Sequence, residues 1–212
     1  MEIKGKIISF LGDSITEGVG VSCDENRYPD RIGAKYGAKK INNYGISGTR
    51  YARQQVKTAP IDYQDFAARS VTIDKESDII VVFGGTNDYG HGDAPIGTMS
   101  DRTPDTFYGA CHTIMQNLVN EYPKAQKVIC TPLHRDADNN KCSRGITLLD
   151  FANIIKEVAK TYSLPICDLW NITGIDPKDP DNRQELCPDG LHPNDAGHAI
   201  LAEKIGQFIE TL

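Results

Sequence analysis

Ser14 follows an apolar run, Ile7 to Leu11, and the pair Gly12-Asp13. A serine hydroxyl attacks a carbonyl effectively only when a neighbouring base takes its proton, and histidine is the usual base near neutral pH. A histidine suited to this role stands near the other end of the chain, in Asp189-Gly190-Leu191-His192-Pro193-Asn194. An aspartate three residues before a histidine can share one turn with it, its carboxylate holding Nδ1–H and leaving Nε2 to face Ser14. The chemistry implied is acyl transfer, which also needs donors aimed at the oxygen that becomes negative. The N–H of Ser14, the N–H of Gly48 and the side-chain amide of Asn87 are the candidates, and Gly48 suits the second place because a residue without Cβ permits close approach to the backbone. Each residue has a plainer reading as well. Asp13 and Ser14 fit a helix cap, Gly48 a turn, Asn87-Asp88 a turn or cap, and Asp189 and His192 a loop before the final helix.

The elements around these residues decide between the readings. Ile7 to Leu11 is short and rich in β-branched and aromatic residues, as a buried strand should be. Asp24 or Asn26 is expected to cap a helix through Tyr28, Ile32 and Tyr36, with Pro29 in its first turn and Gly37 closing it. A second strand, Ile41 to Tyr44, runs into Gly45-Ile46-Ser47-Gly48; residues 50–75 read as loop with a short helix near Phe66 to Val71. Asp78 to Phe83 is the strongest strand signal, apolar on both faces like a central parallel strand, and ends in Gly84-Gly85-Thr86-Asn87-Asp88. A glycine-punctuated loop from Tyr89 to Thr103 precedes a helix with Phe107, Cys111, Ile114, Leu118 and Tyr122 on its core face. Then come a strand at Lys127 to Thr131, a polar loop from His134 to Arg144, a helix with Leu148, Ala152, Ile155, Ala159 and Tyr162 on one side, and a strand at Leu164 to Leu169. The last helix should start near Asn194 and bury Leu201, Ile205, Phe208, Ile209 and Leu212. Strands alternating with helices in this way imply right-handed crossovers, a parallel sheet of about five strands and a three-layer α/β/α sandwich. Loops after Leu11, Tyr44 and Phe83 then open on one sheet edge, which brings Ser14, Gly48 and Asn87 together.

Four blocks carry a resemblance that spans nearly the whole chain. Gly12-Asp13-Ser14, Gly48 in Ser47-Gly48-Thr49, Gly85-Thr86-Asn87-Asp88 and Asp189-Gly190-Leu191-His192 resemble, in order, those of the SGNH, or GDSL, hydrolase family. The resemblance implies a flavodoxin-like sandwich and hydrolysis of esters or thioesters without a metal. It also implies Ser14 as nucleophile, His192 as base, Asp189 as its orienter, and the same oxyanion donors. The opening Gly12-Asp13-Ser14-Ile15-Thr16-Glu17-Gly18 and the long polar loops resemble the bacterial esterase branch that includes carbohydrate deacetylases. Ser14 is not in a G-x-S-x-G elbow, so the ordinary α/β-hydrolase pattern does not apply.

Other features bound the function. The length of 212 residues suits one domain, and a net charge of -6 without a dense Lys/Arg run speaks against a nucleic-acid surface. No apolar run approaches the ~20 residues that span a bilayer. Strand-like residues begin within a few positions of Met1, leaving no room for a signal peptide, so a cytoplasmic protein is expected, or a secreted one if a signal has been removed. No G-x-G-x-x-G follows a strand and no Walker A sequence occurs, so no nucleotide cofactor is expected. The six cysteines are dispersed with no C-x-x-C pair, which makes a zinc site unexpected. Cys111, Cys130 and Cys167 read as buried thiols, while Cys142 and Cys187, in polar loops, have the option of pairing. His112 and His198 fall on helices as surface or packing residues; His91 and His134 lie in loops on the active edge, open to substrate contact or to solvent alone. Polar loops favour a short acyl group, such as acetyl, on a small or carbohydrate carrier. A lysophospholipase, an acyl-CoA thioesterase and a non-catalytic carbohydrate-binding protein on the same fold are the rival expectations.

Overall fold

The computed structural model describes residues 1–212. Its sheet has five parallel strands, β1 (Ile7–Gly12), β2 (Lys40–Gly45), β3 (Ile79–Phe83), β4 (Gln126–Cys130) and β5 (Ile166–Cys167), in the order β2-β1-β3-β4-β5. All five residues of β3 are buried, because both faces of the sheet are covered. Ile79, Val81 and Phe83 face one core with α2 (Tyr28–Tyr36) and α9 (Asp195–Glu210), where Tyr28, Ile32, Leu201, Ile205 and Ile209 are buried. Ile80 and Val82 face the other, with α5 (Phe107–Glu121) and α6 (Leu148–Thr161), where Phe107, Cys111, Ile114, Leu118 and Phe151 pack. Alternate strand residues thus feed opposite layers, the period-two consequence of the pleat.

The chain leaves β1 for β2 on one side and returns to β3 on the other. That reversal opens a crevice beyond the strands' carboxyl ends. The short elements bordering it are α1 (Ser14–Glu17) and α4 (Thr86–His91), with α3 (Phe66–Arg69) beneath them.

Several expectations need correction. Asp24 to Asn26 form a 3-10 turn, and the N-cap of α2 is Arg27, without a side-chain cap. The Asn26 amide instead donates to Ser22 Oγ and Asp195 Oδ2, both at 3.0 Å. Tyr89 to His91 belong to α4 rather than to a loop. The fifth strand is only Ile166–Cys167, since the chain turns at Asp168 into α7 (Leu169–Ile172). Asp168 holds this turn by accepting from Thr131 Oγ1 and Asn171 Nδ2 at 3.1 and 2.7 Å. A further helix, α8 (Pro180–Leu186), is capped by Asp179. On α9, Leu201, Ile205 and Ile209 are buried, but Phe208 is only partly so and Leu212, past the helix end, is exposed. All six cysteines are unpaired; Cys187 is buried rather than in an open polar loop. Of the two readings of His112 and His198, packing is the one that holds, since both are buried.

Candidate active site

β1 delivers Ser14 to the crevice through a turn with no space for a side chain at Gly12. A Cβ on Gly12 would stand 1.8 Å from Thr16 Oγ1. Asp13 caps α1, its Oδ1 accepting the Ile15 N–H at 3.1 Å. Ser14, the first residue of α1, has no acceptor for its own N–H within the helix.

The partner of Ser14 comes from the turn before α9. Asp189 Oδ1 accepts the N–H groups of Leu191 and His192 at 2.8 and 2.7 Å, which folds the aspartate back onto the histidine. Its Oδ2 then meets His192 Nδ1 at 2.6 Å, and His192 Nε2 lies 3.0 Å from Ser14 Oγ. Burial alone would raise the Asp189 carboxyl, but the backbone and side-chain hydrogen bonds from His192, the Leu191 N–H and the His192 charge together hold it below the usual range. The turn ends where Asn194 Oδ1 accepts from Ala196 and Gly197 and starts α9.

The second wall is the loop after β2. Gly48 has a φ of +75°, a conformation that favours glycine, with open space where a Cβ would stand. Its N–H donates to no protein group. The loop is tied to α1 by Glu17, whose Oε2 accepts from the Ser47 N–H at 2.6 Å and from Ser47 Oγ. From below, the buried Arg69 guanidinium donates to the Gly12 carbonyl at 3.0 Å, the Tyr44 carbonyl at 2.7 Å and Thr49 Oγ1 at 2.8 Å. One cation therefore fixes the ends of β1 and β2 against each other.

The third wall is α4. Asn87 Nδ2 donates to the Thr49 carbonyl at 3.0 Å, which leaves one amide hydrogen facing the crevice. His91 Nε2 meets Asn87 Oδ1 at 3.1 Å, and Arg50 Nε donates to His91 Nδ1 at 3.2 Å. With Nδ1 acting as acceptor, Nε2 carries the proton and donates to Asn87, so the amide is fixed at both ends. Burial, and then the charges of Arg50 and Arg135, lower the His91 pKa and keep the ring neutral. Asp62 holds Arg50 in turn, at 2.8 Å. Asp88 faces away from His192, accepting from the Tyr51 and Ala52 N–H groups at 2.8 and 3.0 Å; burial outweighs these bonds and raises its carboxyl to about 6.

Ser14, Gly48, Asn87, His91 and His192 border one cavity of about 310 Å³. His134 does not border it. Its Nδ1 engages Asp138 at 2.7 Å and its ring lies against Trp170, with centroids 3.8 Å apart. Arg50, Arg69 and Arg135 were not legible as site residues, since isolated charges far apart in sequence give no spacing signal, and nothing in the opening motif shows that its Glu17 holds Ser47. No cluster of three or more His, Cys, Asp or Glu side chains is arranged to hold a metal ion. A hydroxyl, an imidazole and a carboxylate in one hydrogen-bonded line, facing convergent N–H donors, can carry out acyl transfer.

Comparison with known proteins places the chain in a family. The model of the GDSL-like Lipase/Acylhydrolase family matches residues 10–200, and the chain belongs to that family of ester hydrolases. It is 27% identical to a GDSL lipase of Mycobacterium tuberculosis (strain ATCC 25618 / H37Rv), over 84% of this chain and 65% of that protein. It is 24% identical to an acetylxylan esterase of Xylanibacter ruminicola, over 96% of this chain and 43% of that protein. The chain thus spans less than two thirds of the length of either relative. A crystal structure of a protein from Lactobacillus plantarum superposes with a TM-score of 0.86 at 29% identity, covering 99% of this chain and 98% of that one.

Proposed function

We propose that the protein is a serine esterase that removes a short acyl group, acetyl above all, from a small-molecule or carbohydrate ester. The observation that carries this reading is the unbroken line from Asp189 through His192 to Ser14, with separations of 2.6 and 3.0 Å. Ser14 Oγ attacks the ester carbonyl carbon while His192 Nε2 takes the hydroxyl proton. The carbonyl oxygen becomes an oxyanion held by the N–H groups of Ser14 and Gly48 and by Asn87 Nδ2. The bond to the alcohol oxygen then breaks, and the imidazolium returns the proton to that oxygen. Water attacks the acyl-Ser14 ester, giving its proton to His192; the second tetrahedral adduct collapses, releasing the acid and the free hydroxyl. Asp189 holds the imidazole in the required tautomer and stabilises its cation.

The walls favour a small acyl group. Only Val19 and Leu191 bring apolar side chains to the cavity. The acetylxylan esterase relative fits this reading of the acyl group. The test is a panel of 4-nitrophenyl esters of increasing chain length together with acetylated sugars. Acetyl should be preferred, and Ser14→Ala should lower kcat by several orders of magnitude without loss of fold. Turnover that survives Ser14→Ala, or a preference for long acyl chains, would contradict the proposal.

A further inference from the structure

Beside the cavity at Ser14 lies a second one of about 450 Å³, and Gly90, His91 and Arg135 border both. Its guanidinium lies against Gly90. A Cβ there would stand 2.9 Å from Nη1, 3.6 Å from Cζ and 3.7 Å from Nη2, so the absent side chain lets the charged fork reach this wall. Only Nη1 is hydrogen-bonded, to the Thr86 carbonyl at 3.3 Å and to Thr86 Oγ1 at 3.2 Å. Nε is buried without an acceptor. The acidic side chains nearby are engaged elsewhere: Asp136 with Arg183 at 2.8 Å, and Asp138 with Lys178 at 2.8 Å and His134 at 2.7 Å. Asp13 is fully buried behind the nucleophile, where burial pushes its carboxyl up to about 7. No Asp or Glu borders the cavity at Ser14, although the whole chain carries a net charge of -6, and the second cavity has one, Asp136, which is paired with Arg183.

We propose that Arg135 forms an anion subsite for the alcohol portion of the ester, so that the preferred substrate carries a carboxylate or a phosphate close to its acylated hydroxyl. A guanidinium fork matches both groups, donating two parallel N–H bonds to paired oxygens. Asp136, Asp13 and Asp138 act on this half-buried cation only through space and make no ion pair with it, whereas a bound anion would pair with it directly, where burial lowers the arginine's pKa. This rests on the esterase reading, and the experiment separates the two.

The measurement compares kcat/KM within two matched pairs. One is the acetyl ester of a methyl glucuronoside against its neutral uronic methyl ester; the other is 1-acetylglycerol 3-phosphate against 1-acetylglycerol. The anionic member of at least one pair should be favoured by on the order of tenfold or more, and the pair with the larger ratio identifies the anion. Arg135→Gln should bring that ratio towards one, Arg135→Lys should keep part of it, and added salt should narrow it. Because each ratio is taken on one preparation, loss of folded protein cancels. Titration calorimetry of Ser14→Ala with the same four compounds reads binding without turnover. Equal kcat/KM within both pairs, or a preference unchanged in Arg135→Gln, overturns the subsite. If the wild type turns over no ester, tighter binding of an anionic member would uphold the subsite and sink the esterase reading, and equal binding would overturn both.

Discussion

Asn87, the proposed side-chain donor to the oxyanion, is positioned by the atoms that would take no part in the reaction. One amide hydrogen is held by the Thr49 carbonyl and the oxygen by His91, which leaves a single N–H for the oxyanion. Removing such a donor typically lowers kcat ~10²–10³-fold, so Asn87→Ala should lower kcat far more than it raises KM. His91→Ala should cost less, roughly tenfold in kcat, because the amide survives and only its orientation loosens. Added to Asn87→Ala it should cost little more. Steady-state kinetics of the two single variants and the double variant decide this, and independent, multiplying losses would assign His91 a separate role such as substrate contact. Ser14, Asp189 and His192 were legible in the sequence because the pairing of aspartate and histidine is local and the serine sits at a strand end. The arrangement of Arg50, His91 and Asn87 was not, because its members belong to different loops and meet only in three dimensions.

Strands and long helices follow from apolar periodicity, and the parallel sheet with Asp78 to Phe83 at its centre could be read before the structure, although the order of the strands could not. The elements that position the site could not. α3 and α4 have four and six residues, too few for a periodic stripe, and polar contacts of long sequence separation set the segment between β2 and α3. Asp88 binds the backbone of Tyr51 and Ala52, Asp93 that of Gln55 and Val56, and Arg69 spans β1 and β2. Arg69 is the member whose loss should be felt most. Arg69→Met fills a similar volume but leaves the Gly12 and Tyr44 carbonyls and Thr49 Oγ1 without that donor in a buried setting. The expected loss is about 3 kcal/mol of stability, with a fall in kcat of the folded enzyme as the Ser14 and Gly48 walls drift apart. Urea unfolding and kcat measured together check both, and unchanged stability would show that water replaces the guanidinium without penalty.

Across the whole molecule, buried ionisable groups tie stability to pH with opposite signs. His198, packed on Tyr28, accepts the Tyr28 N–H through Nδ1 at 3.0 Å, and burial lowers its pKa to about 4. Unfolded histidine takes up a proton near 6.5, so its neutral, folded form contributes fully above that pH and its contribution is lost as pH falls towards 4, by about 3 kcal/mol. Asp13 and Asp88 act in reverse. Their carboxyls are raised by burial to about 7 and about 6, so the folded state binds their protons more tightly and loses stability as pH rises from about 4 through those values. His198→Gln removes the first contribution alone. The difference in unfolding free energy between wild type and variant should therefore change between pH 6.5 and 4 and stay flat above, measured by urea unfolding across that range. A difference independent of pH would mean that His198 is protonated alike in both states.

At the level of the whole chain, the sandwich brings residues 14 and 192 within hydrogen-bonding distance across nearly its full length, and this convergence is what the esterase reading depends on. The most direct measurement is to quench the enzyme during turnover of 4-nitrophenyl acetate and locate the acetyl group by peptide mapping. The group should be on Ser14, absent in Ser14→Ala, and formed much more slowly in Asp189→Asn and His192→Ala. An acetyl group on another residue, or one that forms on Ser14 at the same rate in all three enzymes that retain it, would contradict the assignment of Ser14 as a nucleophile activated by His192.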